Sequence, residues 1–212
     1  MENRSVVFDY RALRLLMGLI ALALPFVVTA LSTTDLSSIS ASYYTEARDA
    51  FVGMLFVVSA FLWAYNGHAP AEGNASKIAS LAAILVALFP TACDSCKPSI
   101  VSVIHYSAAI ALFSILAYFC FRFFRKNTKG QLRMSKKWRR DKIYLACGTV
   151  MVACMLIAVV ANLTLSQETL KAWQVTYWAE AIALGAFGVA WIVAGKYLAA
   201  LTDEDEELRL FT

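Results

Sequence analysis

Charged residues are scarce in this sequence. Only 16% of its 212 residues are Asp, Glu, Lys or Arg, whereas 60% are hydrophobic. Soluble domains carry roughly 25% charged residues, so the composition excludes an ordinary soluble domain and indicates a membrane protein. Histidine is scarcer still, with two in the whole chain. The sequence also lacks a phosphate-binding loop, a Gly-x-Ser-x-Gly elbow and a dinucleotide fingerprint, so no nucleotide-binding or serine-hydrolase motif points to an activity.

Long apolar runs are plentiful. A membrane-spanning helix needs about 20 predominantly apolar residues, and six nearly uncharged segments approach or reach that length: 12–31, 49–67, 77–92, 99–121, 142–163 and 173–198. The third segment is the shortest. We expect an all-α integral membrane bundle of six transmembrane helices, in which residues 1–212 form a single membrane domain. No clear cleavage site follows the first run, so we expect it to be a retained helix rather than a signal peptide.

The basic residues predict the orientation of the bundle. Loops rich in Lys and Arg stay on the cytoplasmic side, and the stretch "RFFRKNTKGQLRMSKKWRRDK" between the fourth and fifth segments is strongly basic. Of the 19 Lys and Arg residues, only Arg48, Lys97 and Lys171 fall on the opposite side of a six-span arrangement. Both termini are therefore predicted to be cytoplasmic, together with an acidic tail over residues 203–212.

Few ionisable residues interrupt the predicted spans. We expect Arg14 to snorkel to the nearby cytoplasmic face, which leaves His105 and Glu180. Each lies six or seven residues below the outer start of its helix, so at 1.5 Å per residue both are roughly 10 Å deep. Intramembrane ionisable residues mark functional sites or partners. The alternative is a polar clasp in which Glu180, held by His105, a Tyr or Arg48, only fixes helix packing.

The residues expected at the same level complete a candidate ligand-binding site at the outer leaflet. Its predicted members are His105, Glu180, Arg48, Asp49, Tyr44 and Tyr177. No catalytic residue is assigned, and no cofactor is expected.

Cys93 and Cys96 form a Cys-x-x-Cys pair at the outer end of the third segment, where a disulfide can persist. A thiol oxidoreductase that passes electrons to a quinone would need a second, shuttling pair, and the other three cysteines lie elsewhere in the predicted bundle. We therefore expect a small structural disulfide or two free thiols. No metal site is predicted, because no spacing of His, Cys and carboxylates suits a tetrahedral ion.

The expected partners are membrane lipids. Nucleic acid is not expected, because the positive residues flank membrane helices instead of forming a folded surface that could bind it. The basic loop could contact anionic headgroups. That loop or the acidic tail could also bind a protein partner, and a homo-oligomer stays open. We expect a cell membrane or a bacterial inner membrane rather than an organelle membrane.

Four stretches resemble the Frag1/DRAM/Sfk1 group of six-span membrane proteins. They are "SSISASYYTEARDAFVGMLFVVSAFL", "NASKIASLAAILVALF", "VIHYSAAIALF" and "YWAEAIALGAFGVAW". The resemblance implies six helices, cytoplasmic termini and a role connected with membrane lipids, since members are linked to lipid-anchor remodelling, lipid asymmetry and autophagy at lysosomes. It carries over only His105 and Glu180 as shared pocket positions. The sequence departs from the group where an Asp commonly follows the Ile-Ser, because Ala41 and Ser42 follow Ser40 here.

The leading hypothesis is a multi-pass membrane protein that binds or handles a lipid or lipid-like ligand in an outer-leaflet polar pocket. In it, Arg48 would pair with a headgroup phosphate, and Glu180 with His105 could hold or shuttle a proton. A membrane enzyme is an alternative, either a thiol oxidoreductase using Cys93 and Cys96 or a lipid hydrolase using His105 as base. A non-catalytic scaffold or signalling subunit is the third.

Overall fold

The computed structural model describes residues 10–67, 69–93, 99–126 and 128–203. It contains seven α-helices in this part of the chain: α1 Tyr10–Leu31, α2 Arg48–Ala64, α3 Pro70–Leu88, α4 Ile100–Tyr118, α5 Lys136–Thr164, α6 Gln167–Ala172 and α7 Val175–Gly195. Short 3-10 helices span Ser40–Tyr44 and Ala199–Leu201, and a π turn over Phe119–Phe123 extends α4. No strand occurs within these ranges, which confirms the predicted all-α class there.

Five of the helices are long and apolar enough to cross a membrane: α1, α3, α4 with its π turn, α5 and α7. Their outward faces carry exposed large apolar side chains such as Phe26, Ile100 and Leu163. Large contiguous apolar surfaces are unusual on soluble monomers, so this exterior is consistent with a multi-pass integral membrane protein. Helix α2, with 17 residues, is shorter than the other five.

Two helices begin six or seven residues earlier than the hydropathy pattern predicts. Helix α3 starts at Pro70 rather than at residue 77, since Pro suits the first helical position, where an N–H has no intrahelical partner. Helix α5 starts at Lys136 rather than at residue 142, and the Ser135 hydroxyl accepts from the Trp138 amide at 3.1 Å to cap it. Polar first turns therefore extend both helices beyond their apolar segments.

The six longer helices pack as a closed ring in chain order. Helix α1 packs against α2, α2 against α3, α3 against α4, and α4 against α5. Helix α5 packs against α7, and α7 packs against α1. The α1–α7 approach is especially close because two glycines face each other. A Cβ atom on Gly18 would lie 2.6 Å from the Gly188 carbonyl oxygen, and one on Gly188 would lie 2.7 Å from that of Gly18. Small residues of this kind allow membrane helices to pack closely.

An aromatic cluster fills the ring at the end where α2 and α7 finish. The Trp191 ring lies 5.3 to 5.6 Å, centroid to centroid, from the rings of Tyr65, Phe119, Phe124 and Phe187. These residues come from α2, the π turn and α7 or their immediate ends, so the cluster joins three helices that are not neighbours in the ring. We call this end of the bundle, on the side of the basic loop, the inner end, and the opposite one the outer end.

Candidate functional site

The loop between α1 and α2 folds over the outer end and is held by its own hydroxyl groups. The Ser32 and Thr45 hydroxyls are 2.9 Å apart, and the Thr33 hydroxyl donates to the Glu46 carboxylate at 3.1 Å. The pKa of Glu46 is lowered because its own backbone amide, and then the amide and hydroxyl of Thr33, hydrogen bond to the carboxylate. Short polar side chains thus join the first residues of this loop to its last residues.

Glu180 attaches this loop to α7. The Ser40 amide donates to Oε2 of Glu180 at 3.1 Å, and Ser40 opens the 3-10 helix that carries Tyr43 and Tyr44. The first amides of any helix lack intrahelical acceptors. A carboxylate that accepts from one of them satisfies that donor and holds the start of the helix in place.

His105 makes the corresponding contact between α4 and α3. Its Nδ1 atom lies 2.6 Å from the carbonyl oxygen of Phe89, which directly follows the last residue of α3. Because a carbonyl oxygen only accepts, Nδ1 carries the proton in this contact. His105 is buried. Its Nδ1–H donates to the Phe89 carbonyl, one of the carbonyls that the end of a helix leaves without an intrahelical donor.

The two ionisable side chains therefore serve different neighbours. Helix α4 packs between α3 and α5, whereas α7 packs between α1 and α5. Within the described ranges no hydrogen bond joins His105 to Glu180, although the sequence places them at one depth. The ligand-binding role assigned to each of them stays a prediction, and so does the shared pocket.

Arg48 and Asp49 lie at the mouth of an open groove between α2 and α3. The groove has a volume of about 500 Å³, and its lining includes Tyr43, Arg48, Asp49, Val52, Gly53 and Leu88. We call it the outer groove. The Arg48 guanidinium stacks 4.4 Å from the Tyr43 ring centroid and donates to the Tyr43 hydroxyl at 3.0 Å. The groove lining thus combines two opposite charges with apolar residues of α2 and α3.

The predicted tyrosines bridge the outer loops. The Tyr44 hydroxyl donates to the Thr91 carbonyl at 2.6 Å, and the Thr91 hydroxyl donates to the Tyr106 hydroxyl at 3.0 Å. Tyr177 on α7 lies with its hydroxyl 2.7 Å from that of Thr29 on α1. Tyr44 therefore connects the α1–α2 loop to the α3–α4 loop beside the outer groove. Tyr177 connects α7 to α1.

The cysteines are distributed as the sequence suggests. Cys93 is disulfide-bonded, whereas Cys120, Cys147 and Cys154 are free and buried. Cys96 lies outside the described residues, so its pairing with Cys93 stays a prediction. Within the described ranges no group of three or more His, Cys, Asp or Glu residues could hold a metal ion.

A buried charged cluster at the inner end was missed by the sequence interpretation. Arg14 does not snorkel to the surface but is buried, and its Nη1 donates to the Ala194 carbonyl at 2.9 Å. Its Nη2 donates to the Tyr65 hydroxyl, which donates to the carboxylate of Glu72. Nη2 and the carboxylate oxygen are 3.6 Å apart. We call Arg14, Tyr65 and Glu72 the inner charged cluster.

The sequence signal for this cluster was available but ambiguous. Glu72 is the only acidic residue in "YNGHAPAEGNASK", a stretch whose Gly, Pro and Asn residues indicate a turn. Because Pro70 starts α3, Glu72 falls in the first helical turn and points back to Arg14 on α1 and Tyr65 after α2. The cluster therefore joins three helices, and the bond to Ala194 adds α7.

The start of the acidic tail lies on the basic start of α5. Asp203 is 3.9 Å from the Lys137 ammonium group and 4.0 Å from the Arg140 guanidinium. Lys136 donates to the carbonyl oxygens of Ala199 and Thr202 at 3.1 and 2.6 Å. Residues 204–212 lie outside the described residues, so any partner of the remaining tail stays a prediction.

Comparison with known proteins adds no relative: no family model, no curated protein and no solved structure matches the chain.

Proposed function

We propose that this protein is a six-span membrane protein that binds a lipid or lipid-like ligand in the outer groove. The observation that carries the proposal is that Arg48 and Asp49, in the first turn of α2, line the same groove as the apolar residues Val52, Gly53 and Leu88. A lipid has the same division, with charge in the headgroup and apolar chains below it. Arg48 offers a guanidinium to a phosphate, and Asp49 offers a carboxylate to an ammonium group, so a zwitterionic phospholipid suits the pair.

The six-span topology is part of this proposal. Helix α2 measures about 26 Å at 1.5 Å per residue, and its 17 residues are at the lower limit for a span. It packs between α1 and α3, both long enough to cross. With six spans the basic loop and both termini share the cytoplasmic side, and the outer groove opens to the other leaflet.

Glu180 and His105 act in this proposal as positioning residues. Glu180 holds the 3-10 helix that carries Tyr43, whose ring stacks under Arg48. His105 holds Phe89, the residue after Leu88 at the opposite rim. The resemblance to the Frag1/DRAM/Sfk1 group is consistent with a lipid role for the region that these two residues support.

A scaffold function is the second candidate, because the same hydrogen bonds would suit side chains that only lock the bundle. The two candidates differ in what Arg48 does. A scaffold needs Arg48 only for its contact with Tyr43, whereas a lipid site needs its charge for the headgroup.

Lipid retention by the purified full-length protein separates these functions. The protein would be reconstituted with phosphatidylcholine and transferred to mild detergent. Mass spectrometry of the intact protein would then measure the retained lipid. We expect Arg48→Gln to lower retention about tenfold, the loss of one charge-assisted hydrogen bond, while Lys171→Gln, which removes a charge on the same side, leaves it unchanged. Equal retention by the wild type and Arg48→Gln would refute the proposed site.

A further inference from the structure

A second groove lies at the seam between α4 and α5, toward the inner end. It encloses about 270 Å³, and its lining includes Ser114, Ala117, Tyr118, Phe121, Met155 and Leu156. We call it the inner groove. Below it the seam is closed, because the Phe121 ring packs so tightly on Gly148 that a Cβ there would lie 2.8 Å away. The inner groove therefore ends at Phe121, on the side of the basic loop.

Two hydroxyl groups face this apolar groove. Ser114 and Tyr118 are one helical turn apart, so they share a face of α4. Both are exposed, and neither hydroxyl makes a hydrogen bond to any other residue in the described parts of the chain. A hydroxyl in hydrocarbon favours an acceptor strongly. These two groups therefore suit a ligand that brings its own acceptor oxygens into the membrane.

A positive charge continues the same face toward the inner surface. Arg122 follows Tyr118 by four residues, lies within the π turn and is exposed. It opens the stretch from Arg122 to Lys142 that contains ten of the 19 Lys and Arg residues. From the middle of the bundle toward its inner end, this face of α4 and its π turn carries the Ser114 hydroxyl, the Tyr118 hydroxyl and then Arg122. A membrane phospholipid presents the matching series, with ester carbonyls above a phosphate.

We propose that the inner groove binds an anionic glycerophospholipid from the leaflet on the side of the basic loop. One acyl chain lies over Ala117, Met155 and Leu156, the Ser114 and Tyr118 hydroxyls donate to the ester carbonyls, and Arg122 pairs with the phosphate. The basic residues that follow Arg122 favour a net negative headgroup over a zwitterionic one. This site is separate from the outer groove, since it uses other helices and the opposite end of the bundle.

The test is competitive retention of two lipids. The full-length protein would be reconstituted in vesicles containing equal amounts of phosphatidylglycerol and phosphatidylcholine and extracted in mild detergent. Mass spectrometry of the intact protein would then measure each retained lipid. We expect a bound phosphatidylglycerol in excess over phosphatidylcholine in the wild type. Leu156→Trp fills the groove and should abolish this species, whereas Ile157→Trp, an exposed neighbour outside the lining, should retain it.

Two milder changes test the polar contacts separately. Ser114→Ala with Tyr118→Phe removes both hydroxyls at nearly constant shape and should lower phosphatidylglycerol retention at least about fivefold, as expected for one lost hydrogen bond or more. Arg122→Gln should remove the preference for phosphatidylglycerol, whereas Arg133→Gln in the same loop should keep it. The proposal is overturned if Leu156→Trp and Ile157→Trp retain equal amounts, or if Arg122→Gln and Arg133→Gln behave alike. Gly53 lines the outer groove, so a loss of retained lipid in Gly53→Leu alone would concern that groove and not the inner groove.

Discussion

The backbone amide of Ser40 donates to Oε2 of Glu180 at 3.1 Å, so a carboxylate on α7 holds the first turn of a short helix in the loop between α1 and α2. That helix carries Tyr43, which stacks against Arg48 at 4.4 Å. The position of the guanidinium at the mouth of the outer groove thus depends on a residue from a different side of the ring.

Removing the Glu180 carboxylate should loosen the outer loop. Glu180→Ala leaves the Ser40 amide without its acceptor, and we expect a loss of about 1–3 kcal/mol of stability for this unpaired donor. Trypsin cleavage after Arg48 in reconstituted protein would report the loosening directly. Glu180→Gln keeps a carbonyl acceptor and should be cleaved at nearly the wild-type rate. Equal cleavage of all three proteins would show that Glu180 does not hold the loop.

His105 should stabilise the end of α3 through its Nδ1 proton. His105→Phe keeps a ring of similar size but leaves the Phe89 carbonyl unpaired, so we expect a cost of about 1–3 kcal/mol. His105→Asn can still donate and should recover part of this loss. Thermal unfolding in detergent measures both variants. A His105→Phe protein as stable as the wild type would contradict the assignment.

The loop should also loosen in acid because of Glu46. Hydrogen bonds lower the pKa of this carboxyl group below its ordinary value of 4.5. A group with a lowered folded-state pKa stabilises the fold above its unfolded pKa and loses that contribution as the pH falls through the folded value. The protection of residues 33–46 against hydrogen exchange, relative to the intrinsic rate at each pH, should therefore fall below about pH 4.5, and Glu46→Gln should weaken this response. A Glu46→Gln variant with the same acid response would assign the effect to another group.

The inner charged cluster should behave as a coupled unit. Breaking a buried ion pair from one side costs about 3–5 kcal/mol, because the remaining charge stays buried without its partner. We expect Arg14→Met and Glu72→Met each to be strongly destabilised, and the double variant to be less destabilised than the sum of the two. Urea unfolding of the four proteins gives the coupling energy. Additive losses would mean that Arg14 and Glu72 do not interact.

These residues also show what a sequence pattern can and cannot predict. Hydropathy predicts six segments, and five of them correspond to the candidate spans. The common depth of Glu180 and His105 is a prediction from counting residues along their helices. The partner of each side chain cannot be predicted by counting residues, because it depends on which helices are neighbours in the ring. The shared cluster stays a prediction: α3 and α5 flank the helix that carries His105, and α1 and α5 flank the helix that carries Glu180.

The inner charged cluster was missed for a different reason. Pro70 and Gly73 resemble a turn locally, so the pattern favours a loop at Glu72. A long side chain near a helix end can reach water, so the sequence predicts Arg14 at the surface. Only the packing of α1, α2 and α3 brings the two charges together. Local signals identify helix ends, but they carry no information on which ends meet.

The most direct test of the outer groove is a comparison of Gly53→Leu with Gly185→Leu. Both glycines lie inside helices, and a Cβ on either would have no neighbouring atom within 4 Å, so the first atom of each new side chain meets open space. Only Gly53 lines the outer groove. Intact mass measurement after reconstitution with phosphatidylcholine should show retained lipid in the wild type and in Gly185→Leu, and none in Gly53→Leu. Equal retention by Gly53→Leu and Gly185→Leu would contradict the proposal that the outer groove binds a lipid.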